Sequence, residues 1–347
     1  MSVDAEAFRS TDPRAAVLGK SIHPRRVTEL GGRRLPFLRW SFLRMLGSMR
    51  RLTTEGQVGD GREEALAQYV FANARAGDVE DVIRTIDAFS YRQSFMINVG
   101  DEKGEILDAA ARRTRPKLVL ELGTYCGYSA LRIARVMGAD TRLVSVELNP
   151  ANAEIARRIW EHAGVSERLS AVVGTLGDGG QTIDRLQSEH GFAPGSLGLV
   201  FIDHAKDQYL PDLERIVARG WLHPGSVVVA DNVKLPGAPA YRAHIKAAEG
   251  KQWRSREHHT HAEYQTLLKD IVLESEYIGI SATPGPPETP EAAPERRHSH
   301  RLGPPAAYAH ARDPRLSSQH DLSRPHPKLP APRHDAGLPA PAFLSPR

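Results

Sequence analysis

From Lys117 to Val233 the chain alternates short apolar runs with amphipathic stretches, and this alternation restricts its fold more than any other feature. The runs KLVLELG, RLVSVEL, LSAVVG, LGLVFIDH and SVVVADNV read as strands, with YSALRIARVM, NPANAEIARRIWEHAG, QTIDRLQSEHG and YLPDLERIVARG as helices between them. Strands that are apolar at nearly every position are buried on both faces. The pattern therefore predicts an α/β, doubly wound, Rossmann-like sheet, mostly parallel, with helices on both faces. Three helical patterns precede it, GREEALAQYVFANARAG, VEDVIRTIDAFSYRQSF and EKGEILDAAARRTR. The closing stretch QWRSREHHTHAEYQTLLKDIVLESEYIGI holds two extended patterns, which predict an antiparallel C-terminal hairpin at the sheet edge.

Composition sets the boundaries. From Ser281 onward, 15 of the 25 prolines fall within 67 residues that lack apolar periodicity, so 281–347 reads as a Pro-rich disordered tail. Residues 1–57 read as a basic N-terminal extension, partly helical or disordered, and 58–280 as the packed domain. Lys and Arg number 26 in residues 56–280 against 31 Asp and Glu, so that stretch carries a net charge of −5 while both ends are basic. No nucleic-acid partner is expected of an acidic body. No apolar run approaches the ~18 residues of a membrane span. LPFLRWSFLRMLGSMRRL could form an amphipathic helix in peripheral contact with an anionic membrane, or pack on the domain. A lone cysteine, Cys126, and the lack of an apolar leader in the first 30 residues predict a cytoplasmic protein.

Two apolar strands end in charge. FIDHAKDQYL turns from Phe201 and Ile202 to Asp203, His204 and Lys206, and VVVADNV turns from Val229 to Asp231 and Asn232. Such switches mark strand ends opening onto water, a ligand or a metal. Either aspartate alone could simply cap a helix; together with Asn232 they supply oxygen ligands suited to a hard divalent ion. The first strand ends in ELGTYCGYSA, whose Gly123 and Gly127 allow a tight turn and close approach of a ligand. It lacks the middle glycine of a dinucleotide fingerprint. Glu147, ending the second strand, is placed to accept from ribose hydroxyls, and Asp178 lies near where an adenine edge would sit, a combination that points to an adenosyl cofactor. His258, His259 and His261 alternate faces along a strand and so make a poor zinc site.

The stretches MINVGDEKG, LELGTYCGYSALRIAR, VELNP, HAGV, VVG, DHAKDQYLPDL, GWLHPGSVVVADNVKLPGAP and EYQ, in this order, resemble the catechol O-methyltransferase family over about residues 58–280. The resemblance implies a class I methyltransferase fold, S-adenosylmethionine as methyl donor, Mg2+, and a catechol or other vicinal-diol phenol as substrate. It implies that Val99, Glu121, Gly123, Tyr125, Ser129 and Glu147 surround the cofactor, with His204 near its methionine part. Asp203, Asp231 and Asn232 resemble the metal ligands, Lys206 the general base, and Glu263 the carboxylate that binds the hydroxyl not methylated. Phe95 and Pro236 stand at the substrate walls. The chain departs from the family at Leu176 and Gly177, where a Ser-Gln pair is usual. It also departs at Phe95, Ile97, Ala205 and Ala262, where larger residues are expected, so a roomier slot follows. The rival readings are a cation-dependent methyltransferase of larger diols such as caffeoyl esters or flavonoids, a nicotinamide dehydrogenase, and a non-catalytic binding protein.

Overall fold

The computed structural model describes residues 40–48, 51 and 56–279. The expectations for 1–39 and for the Pro-rich tail lie outside the described residues. Four helices precede the sheet: α1 (Trp40–Gly47), α2 (Arg62–Asn73), α3 (Val79–Arg92) and α4 (Gly100–Thr114). Then alternate β1 (Leu118–Leu122), α5 (Tyr128–Val136), β2 (Arg142–Glu147), α6 (Pro150–His162), β3 (Leu169–Val173), α7 (Gln181–His190), β4 (Leu197–Ile202), α8 (Tyr209–Ala218) and β5 (Leu222–Ala230). Helix α9 (Pro239–Ala247) leads into the hairpin of β6 (Trp253–His261) and β7 (Lys269–Tyr277). Local chemistry starts several helices where the pattern predicts. Asp78 accepts from the Asp81 amide to cap α3, and Asn149 caps α6 just before Pro150, whose missing N–H is no loss at that position.

The seven strands form one sheet in the order β3-β2-β1-β4-β5-β7-β6, with β7 alone antiparallel to its neighbours. Strand alternation divides the core in two. Val119, Leu199, Phe201, Val227 and Val229 face α2 to α6, whereas Leu120, Leu122, Val200, Ile202 and Val228 face α7 to α9. Both faces of the parallel strands are thereby covered, which is why their sequences are apolar throughout.

Two boundaries differ from expectation. Helix α9 is not signalled by periodicity, because only Tyr241 and Ile245 are buried among Arg242, His244 and Lys246. Strand β5 starts at Leu222, earlier than the apolar run, since His223, Pro224 and Gly225 resemble a turn yet continue the edge of the strand.

Within the expected N-terminal extension, α1 buries Phe42 and Met45 against Val58 and Phe95 and leaves Trp40, Leu43 and Leu46 exposed. Arg62 fastens it, donating to the carbonyls of Ser41 (2.8 Å) and Phe95 (2.5 Å) while paired with Asp60. Among the described residues, no helix is long and apolar enough to cross a membrane.

The register matters most for chemistry. Leu122 pairs with Ile202, and Ile202 with Ala230, so β1, β4 and β5 end in line. The next residues extend the ladder once more: the Asp203 amide donates to Leu122 O at 2.9 Å and the Asp231 amide to Ile202 O at 3.0 Å. Gly123, Asp203 and Asp231 thus stand side by side where the strand order reverses, the place where ligands collect in such sheets.

Candidate active site

Asp231 is fully buried. Its Oδ1 accepts from the Asn232 amide at 2.6 Å and from Lys103 Nζ at 2.8 Å, and its Oδ2 has no partner among the described residues. Burial pushes its carboxyl up to about 7, with Lys103 opposing and Asp203 reinforcing the shift. Asp203, half-buried, accepts from Lys206 Nζ at 2.9 Å; burial raises its pKa, against the pull of Lys206. Asn232 sits in the left-handed region at φ 54, a conformation that Asn tolerates better than most residues, and its Oδ1 accepts from the same Lys206 Nζ at 3.2 Å. Lys206 also donates to Tyr209 Oη at 2.5 Å, and Tyr209 donates in turn to the Asp231 carbonyl. One ammonium therefore bridges two of the three oxygens expected to hold a cation, while the third expected ligand keeps an unpaired buried oxygen. That donor set suits a divalent ion.

A second cation stands behind the first. Lys103 from α4, 1% exposed, touches Asp231, Glu263 and Asp270 with its ammonium. Its pKa is raised well above the ordinary value because these three carboxylates outweigh the burial that lowers it. Asp270 is held below the usual carboxylate range: burial alone would raise it, but the charge and hydrogen bond of Lys103 prevail. Neither Lys103 nor Asp270 was signalled by the sequence. Lys103 lies in the charged stretch GDEKGE and Asp270 in KDIV, which read as helix surface and edge strand.

At the end of β1, Gly123 turns at φ +98 with the Asp203 carbonyl directly beside it, so the residue has no room for a side chain. Gly127 begins α5 at φ +79, against the Trp160 indole, whose Nε1 donates to its carbonyl at 2.9 Å. Glu147 ends β2, and its carboxylate accepts from the amides of Thr124 (3.1 Å), Tyr125 (2.8 Å) and Asn149 (2.8 Å). The Asn152 side chain adds a further hydrogen bond to the same carboxylate. Burial raises the Glu147 pKa in spite of these donors.

Glu121 is fully buried, accepting from Ser129 at 2.5 Å and from Ser145, and burial pushes it up to about 7. Tyr125 has φ 47 and donates to Glu63 Oε1 at 3.0 Å. His204 contacts Asp212 through Nε2 at 2.9 Å and stacks on Tyr209. Asp178 lies two residues before Gly180, the N-cap of α7, and accepts from the Thr182 amide and hydroxyl; burial opposes these bonds, but its pKa is lowered. Val99 is buried at the start of α4. Leu176 is buried in the α7 to α9 side of the core.

The expected substrate walls are dispersed. Phe95 is 3% exposed and meets Phe42 edge to face at 5.1 Å, with Ile97 packed on the same cluster. Ala205 and Pro236 are exposed, and Ala262 lines a small cavity with Val99, Gly100, Lys103 and Tyr264. The histidines find separate partners, His258 with Glu274 and His261 with Glu102. Among the described residues, the acidic group close enough to share one ion is Asp231, Glu263 and Asp270.

Comparison with known proteins places the chain in a family. A family model described as O-methyltransferase matches residues 77–248, from just before α3 through α9. A probable O-methyltransferase of Mycobacterium tuberculosis is 61% identical over 235 residues, 68% of this chain and all of that protein. A catechol O-methyltransferase of Mus musculus is 35% identical over 227 residues, 65% of this chain and 83% of that protein. Catechol O-methyltransferase B of Danio rerio is 39% identical over 218 residues, 63% of this chain and 80% of that protein. Matched along the whole length of one relative and over most of two others, the chain belongs to the O-methyltransferase family.

Proposed function

We propose that the chain transfers a methyl group from S-adenosylmethionine to one hydroxyl of a catechol, with Mg2+ held by Asp203, Asp231 and Asn232. The observation that carries this reading is the buried, unpartnered Oδ2 of Asp231 beside two oxygens bridged by one ammonium. An unpaired carboxylate oxygen in the interior is costly, and a hard cation satisfies it. Two relatives named as catechol O-methyltransferases support the substrate class.

When bound, the ion stabilises the phenolate, whose formation at pH 7 from a phenol of pKa ~10 costs about 4 kcal/mol. Lys206 takes the phenolic proton at Nζ as a neutral amine, a form reached when a divalent ion on Asp203 and Asn232 displaces its ammonium from those two oxygens. S-adenosylmethionine held beside the strand ends would supply the methyl group, its C–S bond electrons remaining on sulfur, to give an aryl methyl ether and S-adenosylhomocysteine. Glu263 accepts a hydrogen bond from the second hydroxyl through Oε2, since Lys103 and Asn232 hold its Oε1. Glu147, Val99, Gly123, Tyr125 and Ser129 form the donor's cradle, Glu121 braces it from within the sheet, Asp178 stands at the adenine end and His204 at the methionine end. The exposed Ala205 and small Ala262 favour a second reading, a larger vicinal diol such as a caffeoyl ester or flavonoid. The buried, unpaired Cys126 suits a reducing compartment such as the cytoplasm.

The test is methyl transfer to catechols, larger vicinal diols and monophenols, with and without Mg2+, followed by mass spectrometry. Diol turnover that depends on Mg2+ is expected. Monophenols methylated as readily as diols would refute bidentate chelation.

A further inference from the structure

Lys103 is three residues into α4, yet its side chain is 1% exposed and runs to the ends of β5 and β7. Its Nζ lies 2.8 Å from Asp231 Oδ1, 2.6 Å from Glu263 Oε1 and 2.8 Å from Asp270 Oδ2. An ammonium has three N–H groups, and all three are used. The same three carboxylates offer oxygens within 4.8 Å of one another, a spacing that a metal ion could share. The ammonium fills a place built for a cation.

Its contacts also decide which oxygens remain for others. Asp231 Oδ1 is taken by Lys103 and the Asn232 amide, so Oδ2 alone is left to face the strand ends. Asn232 Nδ2 donates at 2.8 Å to Glu263 Oε1 and at 2.8 Å to Asp270 Oδ2, the two oxygens that Lys103 also holds. The amide is thereby turned with Oδ1 toward Lys206. Four carboxyl groups, those of Asp203, Asp231, Glu263 and Asp270, gather around two ammonium groups, an arrangement that one divalent ion would balance when all four are ionised.

We propose that Lys103 is a positioning residue that acts as a resident cation. It occupies the three-carboxylate place so that a single divalent ion binds, and it orients Asp231, Asn232 and Glu263 for that ion and the substrate. The inference rests on the reading of Asp203, Asp231 and Asn232 as divalent-ion ligands. Neutralising Lys103 leaves two buried carboxylates, Asp231 and Asp270, and the half-buried Glu263 without this counter-charge, a state that recruits another cation.

The experiment counts Mn2+ ions per chain by calorimetric titration of the full-length protein. The wild type binds one ion. Lys103→Ala, which removes the charge and opens space, binds two, and Lys103→Ala combined with Asp270→Asn returns to one. Turnover of Lys103→Ala falls about 10–100-fold, the usual effect of losing a group that orients metal ligands, with KM for S-adenosylmethionine unchanged. Should Lys103→Ala fail to fold, Lys103→Met fills the volume without charge and is expected to bind one ion with the same fall in kcat. A folded Lys103→Ala that binds one Mn2+ or none, or either variant with wild-type kcat, overturns the proposal. A wild type that binds no Mn2+ refutes the reading of the ion site itself, a separate failure.

Discussion

A methyl group added at Gly123 would test whether the strand ends are held as closely as the chemistry requires. The Cβ of an alanine there would lie 2.3 Å from the Asp203 carbonyl oxygen, 2.8 Å from its carbon and 3.2 Å from the His204 nitrogen, with φ +98. Both obstacles are backbone, so no side-chain rotation relieves them. Restoring ordinary contact requires the ends of β1 and β4 to part by about 1 Å, and the positive φ adds about 1–3 kcal/mol of strain. Asp203 is carried along, and a displacement of about 1 Å in a reacting constellation lowers the rate about 100-fold. We therefore expect Gly123→Ala to lower kcat/KM about 100-fold and to weaken Mn2+ binding, besides lowering the urea midpoint. Gly61→Ala separates the two effects, because Gly61 has φ +79 with nothing within 4 Å of its would-be Cβ. It should lose stability by about 1–3 kcal/mol with turnover intact. If Gly123→Ala turned over as well as Gly61→Ala, the argument that backbone contact at Asp203 sets the active geometry would be wrong.

Asp87 offers a pH-dependent test away from the active site. Burial, with Asp101 nearby, pushes its carboxyl up to about 7, whereas an unfolded aspartate titrates near ~3.9. The folded chain keeps a proton that the unfolded chain has released, so this group lowers stability as pH rises from about 4 to about 7. Asp87→Asn should gain stability over the wild type by about 2–3 kcal/mol more at pH 8 than at pH 5, measured by urea unfolding; a difference independent of pH would exclude this titration. Glu147→Gln turns an amide N–H2 toward backbone donors and removes a charged acceptor, worth about 1.5–3 kcal/mol. The Kd for S-adenosylmethionine should rise about 10–100-fold by calorimetry, and unchanged affinity would remove Glu147 from the donor site.

The legible parts of the molecule are those carried by short-range patterns. Apolar strands, amphipathic helices and the abrupt change to Asp203, Asp231 and Asn232 each occupy a few consecutive residues, and each is dictated by burial alone. Helix α9 escaped because two buried side chains make too narrow a stripe to stand out from a polar turn. Phe95 carries no local sign of its neighbour Phe42, which lies 53 positions away in the chain. The family resemblance gives it a place at a substrate wall, and only the fold shows that it also packs against Phe42 of α1.

What the sequence determined by itself was therefore the doubly wound sheet and the gathering of Asp203, Asp231 and Asn232 at its strand ends. What only the tertiary structure decided was their electrostatics: Lys103 meeting Asp231, Glu263 and Asp270, Lys206 bridging Asp203 and Asn232, and Glu147 already engaged by three amides. Residue 103 belongs to a helix stretch that reads as surface, and residue 270 to a strand of the hairpin expected at the sheet edge, although β7 lies between β5 and β6. They become buried partners only when α4 crosses the ends of β5 and β7, because the strength of a charge–charge interaction depends on separation and burial, neither of which is a property of neighbouring letters.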